Sequence, residues 1–132
     1  MPVRVYLADL RYDYSGYLAT QCIPLGVAYM KAHIDRALPD LESSLLAYPG
    51  RLAEAIQQNS PDVLMVSNYV WNEALSLELA KLAKRSNPNT LVVMGGPNTS
   101  LEPERQIAYL ATHPVLDVYK IREGDILASE MV

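Results

Sequence analysis

The sequence predicts one α/β domain: a parallel sheet with helices on both faces. Three observations predict it. Short apolar runs of β-forming residues alternate with stretches whose apolar residues recur at helical spacing, giving β-α-β-α-β-α-β-α-β across 132 residues. Three helix-to-strand connections are compact polar-proline pairs, Ser60-Pro61, Asn87-Pro88 and His113-Pro114, which punctuate one end of a sheet. The strand-to-helix connections carry Asp, Ser, Asn, Gly and aromatic residues instead, so binding chemistry is expected at that opposite end, where the strand order reverses beside the first strand.

Residues 3–8 (V-R-V-Y-L-A) form the first strand, ending at Asp9. The next fifteen residues, 9–23, have no helical period and hold Asp9, Arg11, Asp13, Tyr12, Tyr14, Tyr17 and Gly16. A connection of that length in a compact domain is usually functional. Pro24 suits a first helical turn, and Val27, Met30, Ile34 and Leu38 supply the buried stripe of the first helix. Pro39-Asp40 stops it. Residues 43–48 read as a short strand, Pro49-Gly50 as a turn, and Leu52, Ala55 and Ile56 as a short helix ending near Asn59.

Residues 63–66 are fully apolar and lead into Ser67-Asn68-Tyr69-Val70-Trp71-Asn72. Leu75, Leu79 and Leu82 mark the third helix, with Lys81, Lys84 and Arg85 suited to the negative end of its dipole. Residues 91–94 form another buried strand. Ser100 is a good N-cap for the fourth helix, whose buried face is expected from Ile107, Leu110 and Ala111. Residues 115–119 give the fifth strand, followed by Glu123-Gly124-Asp125.

Composition narrows the function. Half the residues are hydrophobic and a fifth charged, which fits a globular chain with a real core. The net charge is −4 without a basic cluster, which argues against a nucleic-acid or anionic-membrane surface. No apolar run is long enough to span a bilayer, and the chain enters a strand directly without a signal-peptide core. The single Cys22 makes neither a disulfide framework nor an iron–sulfur site; with the missing signal it suggests an intracellular, cytoplasmic protein. A dinucleotide fold needs G-x-G-x-x-G after the first strand, where only Gly16 stands, and no P-loop is present. A receiver domain needs an aspartate where Ser67-Asn68 stand, so the receiver-like Lys120 carries little. No nucleophile–base–orienter set is visible, and His33 and His113 read as structural or solvated.

The chemistry concentrates in residues 90–100, T-L-V-V-M-G-G-P-N-T-S. A buried strand empties into Gly95-Gly96-Pro97, where two glycines permit positive φ and remove Cβ atoms that would hold a ligand away. Asn98, Thr99 and Ser100 add polar groups before the next helix. The structural alternative is a plain strand-to-helix turn, but residues 63–67 end in the same manner.

Four stretches then carry a family resemblance: Pro24-Leu25-Gly26-Val27-Ala28-Tyr29, Pro61-Asp62-Val63 through Tyr69, Val93-Met94-Gly95-Gly96-Pro97-Asn98, and Asp117-Val118 through Glu123-Gly124-Asp125. The chain resembles the N-terminal cobalamin-binding domain of B12-dependent radical SAM enzymes over nearly its whole length. The resemblance implies a flavodoxin-like three-layer sandwich with five parallel strands in the order 2-1-3-4-5. It also implies a cobalamin held over the strand tops with its nucleotide tail inserted beside the sheet. Ser67 matches the serine that hydrogen-bonds the tail, and Gly95 and Gly96 match the glycines against which the tail packs. Asp9 is a candidate to bond the glycine loop or the ligand, or simply to cap its own turn. Tyr69, with Val70 and Trp71, is a candidate apolar floor below the cobalt, the competing role of Trp71 being to cap the core as its helix begins. Asn68, Pro97 and Asn98 line the same loops, and Glu123 and Gly124 shape the rim or the passage to a following domain, or are only a turn.

One motif departs from the family. Members that ligate cobalt from below use D-x-H-x-x-G, whereas Asp9-Leu10-Arg11 places arginine at the histidine position and Tyr14 at the glycine position. A guanidinium offers no lone pair to a metal, so the resemblance implies base-off cobalamin without a histidine ligand. The C-x-x-x-C-x-x-C motif for a [4Fe-4S] cluster is absent, so residues 1–132 are expected to be the cofactor module of a longer enzyme. Cluster and S-adenosylmethionine would belong to a C-terminal radical SAM barrel catalysing methyl transfer or radical rearrangement. An exposed top face without that barrel would favour weak self-association. Two other classes remain open: a non-catalytic α/β docking or substrate-recognition domain that has lost cobalamin, and a small nucleotide- or flavin-binding protein.

Overall fold

The computed structural model describes residues 1–14, 17–18, 23–121 and 130–132. Five parallel strands make the central sheet: β1 (Arg4–Ala8), β4 (Glu42–Leu46), β5 (Val63–Ser67), β6 (Leu91–Gly95) and β7 (Val118–Lys120). They lie in the order β4-β1-β5-β6-β7, the predicted 2-1-3-4-5 order once a small separate hairpin is set aside. Its strands, β2 (Asp13–Tyr14) and β3 (Tyr17–Leu18), pair antiparallel within the stretch expected to lack regular structure. Among the described residues four helices pack with it: α1 (Leu25–Ala37), α2 (Pro49–Gln58), α3 (Glu73–Ser86) and α4 (Pro103–Thr112). Among the described residues no helix is long and apolar enough to cross a membrane.

The sheet is buried on both sides because its central strands are apolar along most of their length, Val63 to Val66 of β5 without a break. Successive side chains of β5 point to opposite faces, so Leu64 and Val66 join one core with Leu52, Ile56, Ala80 and Met94, while Val63 and Met65 join the other with Val5, Leu7, Ile34 and Val93. Helices α2 and α3 cover the first core, and α1 packs on the second together with Met131 and Val132. Register is continuous across the centre: Val5 faces Val63 and Val63 faces Leu91.

Four local expectations differ. Pro49 opens α2 at its first turn instead of turning the chain, because a proline there loses no helical bond. Of the stripe expected on α1, only Ile34 is fully buried, and Leu38 lies beyond the helix as its C-cap. The N-cap of α4 is Glu102; the Ser100 hydroxyl accepts from the Glu102 backbone N–H at 3.1 Å one turn earlier. Helix α4 is also rotated from its expected phase. Ile107 is 70% exposed and Ala111 is exposed, whereas Tyr109 and Leu110 pack inward. Residues 107 and 111 each lie about 200° around the helix from 109, so turning Tyr109 inward turns them outward.

Candidate functional site

The C-terminal ends of β1, β5 and β6 meet at the top of the sheet, and nine of the eleven predicted site residues stand on them. Glu123 and Gly124 lie outside the described residues. On the β1 side, Asp9 receives a hydrogen bond from the Ser67 hydroxyl at 2.7 Å, joining residues 58 apart in sequence. Arg11 is buried, with its guanidinium 3.8 Å from the other Asp9 oxygen and its backbone N–H donating to Ala47. Of the partners expected for Asp9, the glycine loop is not among those it meets in the described residues, where it bonds Ser67 and faces Arg11.

Ser67 itself is held from several directions. Asn72 donates from Nδ2 to the Ser67 hydroxyl at 3.0 Å and to the Leu10 carbonyl at 3.3 Å, and the Ser76 hydroxyl donates to the Ser67 carbonyl at 3.0 Å. Asn72 Oδ1 accepts from the Tyr69 N–H at 2.8 Å, which folds the loop back on itself before α3 starts. With its proton on Asp9 and one lone pair occupied by Asn72, Ser67 keeps a single free acceptor position; donating to a ligand would require release of Asp9.

The β6 loop packs against the β5 loop with no side chain between them. Gly96 has φ of +140°, and a Cβ there would stand 2.4 Å from the Asn68 carbonyl oxygen and 2.9 Å from its nitrogen. Only glycine fits, because positive φ strains any L side chain and the space is filled by the Asn68 backbone. The sequence reading assigned that clearance to a ligand; the structure fills it with the neighbouring loop. At Gly95 a Cβ would come within 3.3 Å of the Lys120 carbonyl, a closer contact than side chains ordinarily make.

Asn68 lies at the centre of this half and is fully buried. Its backbone N–H donates to the Gly95 carbonyl at 2.7 Å. Its Nδ2 lies 3.0 Å from the Tyr119 hydroxyl, 3.3 Å from the Tyr109 hydroxyl and 3.3 Å from the Asn98 carbonyl, all acceptors. Asn98 returns the contact, donating from Nδ2 to Asn68 Oδ1 and to a Glu73 carboxylate oxygen, both at 3.1 Å. Tyr109 donates to the other Glu73 oxygen at 2.6 Å, and Tyr119 donates to the Gly96 carbonyl at 3.2 Å. Burial raises the pKa of both phenols; for Tyr109 the bond to the Glu73 carboxylate raises it further.

Sequence reasoning did not find Glu73, Ser76, Tyr109 or Tyr119, and gave Asn72 no role. The available signals were weak: a serine at position 76 within the apolar face of α3, and tyrosines at 109 and 119 where packing alone would suit leucine. The top also carries exposed apolar side chains. Tyr69 and Trp71 stack with ring centroids 4.5 Å apart and 7° between planes, and Trp71 is 53% exposed. Trp71 therefore does not cap the core, since α3 begins only at Glu73. Val70 is exposed on the same loop, and Tyr12 and Leu101 on two other strand-to-helix loops.

These features fit a flat ligand with a tail: an aromatic shelf, a small-residue wall of Gly95, Gly96 and Pro97, and polar groups at Asp9 and Ser67. Known proteins point the same way. The B12 binding domain family matches residues 14–130. The cobalamin-dependent radical SAM methyltransferase TokK of Streptomyces tokunonensis is 39% identical over 67% of this chain and 12% of its own length. The 2-(S-pantetheinyl)-carbapenam-3-carboxylate methyltransferase of Streptantibioticus cattleyicolor is 30% identical over 89% of this chain and 18% of its own. The chain thus spans less than a fifth of the length of these two relatives.

Among solved structures, a cobalamin-binding protein from Desulfitobacterium hafniense superposes with a TM-score of 0.67 at 12% identity, covering 99% of this chain and 60% of that one. A response regulator receiver protein from Sinorhizobium medicae superposes with 0.65 at 13% identity, over 98% of this chain and 93% of the other. At such identities the likeness is one of fold alone. The family assignment rests on the sequence match across most of the chain: this protein belongs to the B12 binding domain family and is homologous to cobalamin-dependent radical SAM methyltransferases.

Proposed function

We propose that the chain binds cobalamin over the tops of β1, β5 and β6, with the nucleotide base displaced from cobalt, and presents it to a radical SAM domain of the same protein. The observation that carries this reading is the convergence of Asp9, Arg11, Ser67 and the Gly95-Gly96 loop at one end of the sheet. It is supported by membership of the B12 binding domain family. Tyr69 and Trp71 supply an apolar shelf for the corrin, and the wall of residues 95–97 faces the tail. When bound, cobalamin supplies the cobalt chemistry of methyl transfer or radical rearrangement. The chain's own residues bind and orient it.

The base-off state follows from Arg11. Its guanidinium carries no lone pair, and Asp9 lies 3.8 Å away in a position to hold it. Held with its nucleotide base away from cobalt, the cofactor would meet Arg11 where relatives that ligate cobalt have histidine. The test is titration with hydroxocobalamin, followed by desalting and a visible spectrum. Saturable retention with a base-off spectrum supports the reading. Absence of retention at protein concentrations of hundreds of micromolar overturns it, and a base-on spectrum overturns the axial assignment.

A further inference from the structure

We propose that Glu73, Tyr109 and Tyr119 are positioning residues for the cofactor's nucleotide tail, acting through Asn68 and Asn98 to hold the residue 95–98 wall in one shape. The inference deepens the cobalamin reading and rests on it. None of the three lies on the loops that would touch a ligand first; they come from α3, α4 and β7, yet their polar atoms converge on the wall.

The wall is fixed at three points. Tyr119 holds the Gly96 carbonyl, the Asn68 N–H holds the Gly95 carbonyl, and Asn68 Nδ2 holds the Asn98 carbonyl. Each bond ties a carbonyl of the wall to a donor on another element. Glu73 is the anchor behind them. Its two carboxylate oxygens each accept one donor, Tyr109 at 2.6 Å and Asn98 at 3.1 Å, so one group sets both the phase of α4 and the rotamer of Asn98. Asn98 in turn orients the Asn68 amide through Oδ1, and that orientation decides which of its ends meets the two phenols. A glutamine at 73 would present one acceptor and one donor where two donors now converge.

A wall held in advance spares the ligand the ordering cost of binding, so its loss should appear as weakened tail recognition rather than weakened corrin contact. The experiment compares dissociation constants for cobalamin and for cobinamide, which has the corrin but no nucleotide tail. Wild type is measured against Tyr109→Phe, Glu73→Gln and Tyr119→Phe. Circular dichroism and urea midpoints report whether each variant folds, and Tyr119→Phe serves if the other two do not. Wild type should prefer cobalamin. Tyr109→Phe and Glu73→Gln should lose about tenfold or more for cobalamin, the effect of one charge-assisted hydrogen bond. Tyr119→Phe should lose about fivefold, the effect of a neutral one, with cobinamide affinity unchanged in all three. Equal weakening of both corrinoids, or no weakening, overturns the positioning role while cobalamin binding stands. A wild-type chain that binds the two equally also overturns it. A wild-type chain that takes up neither overturns the cobalamin reading, and this inference with it.

Discussion

The two ends of the sheet are closed by different chemistry. At the bottom, side chains bond to backbone at the starts of strands. Asp62 accepts from the Arg4 N–H at 2.8 Å, Asp117 accepts from the Val92 N–H at 2.7 Å, and Thr90 donates to the Pro61 carbonyl at 2.7 Å. Two ion pairs flank them, Arg4 with Glu42 and Lys84 with Asp117. At the top, side chains bond to side chains across separate elements: Ser67 to Asp9, Asn98 to Asn68, Tyr109 to Glu73. A top bond orients the next one, so the top behaves as a connected network and the bottom as small separate groups of one or two bonds.

The largest test of that contrast is Gly96→Val. Positive φ and a Cβ 2.4 Å from the Asn68 carbonyl should together cost about 3–5 kcal/mol in urea denaturation. Gly50→Ala, whose Cβ meets nothing within 4 Å, should stay within about 1 kcal/mol of wild type. A tolerated valine at 96 would mean that the two loops are not locked together.

Asn68→Ala should follow, at about 2–4 kcal/mol, because it leaves Asn98 and two buried phenols without their shared amide. The bottom counterpart, Thr90→Val, should cost about 1 kcal/mol, the value of one buried hydrogen bond. Coupling sharpens the comparison. A double-mutant cycle between Asn68→Ala and Tyr109→Phe should show an interaction of about 1 kcal/mol or more, whereas Thr90→Val combined with Asp117→Ala should add within about 0.5 kcal/mol. Additivity at both ends would reduce the top to a collection of pairs.

The smallest effect is in alkaline pH. Tyr109 and Tyr119 have folded-state pKa values raised above the ordinary 10.0, so the folded state favours their protonated forms. Their stabilisation is therefore complete below pH 10 and is lost as pH rises above it. Phenolate absorbance should show these two tyrosines ionising above pH 10, and Tyr109→Phe should flatten the decline in urea midpoint above pH 10. Loss of absorbance from the protonated phenols of Tyr109 and Tyr119 at or below pH 10 would contradict the burial of the network.

This difference also explains what could be read in advance. The β5 and β6 strands were legible because strands buried on both faces are apolar along most of their length, and proline-bearing turns mark their starts; the sheet order came from the family resemblance. Ser67, Gly95, Gly96 and Asn98 were legible as loop chemistry. Tyr109 and Glu73 were not. Helical periodicity weighs hydrophobicity and chose Ile107, Leu110 and Ala111 as the inner face, of which only Leu110 packs inward, whereas the position of α4 follows a hydroxyl that reaches a carboxylate 36 residues earlier. Long-range polar partners leave no period in the sequence. The role of Gly96 was legible only as a need for glycine; that the need comes from Asn68 required the structure.

The most direct test of the proposed site is electron paramagnetic resonance of cobalamin bound to the chain and reduced to the Co(II) state. If Arg11 stands where an axial histidine would otherwise be and the nucleotide base is displaced, as proposed, the spectrum should lack the superhyperfine splitting that a nitrogen ligand imposes. A nitrogen-split spectrum would contradict the account, because the lower face would then hold a ligand that Arg11 cannot provide.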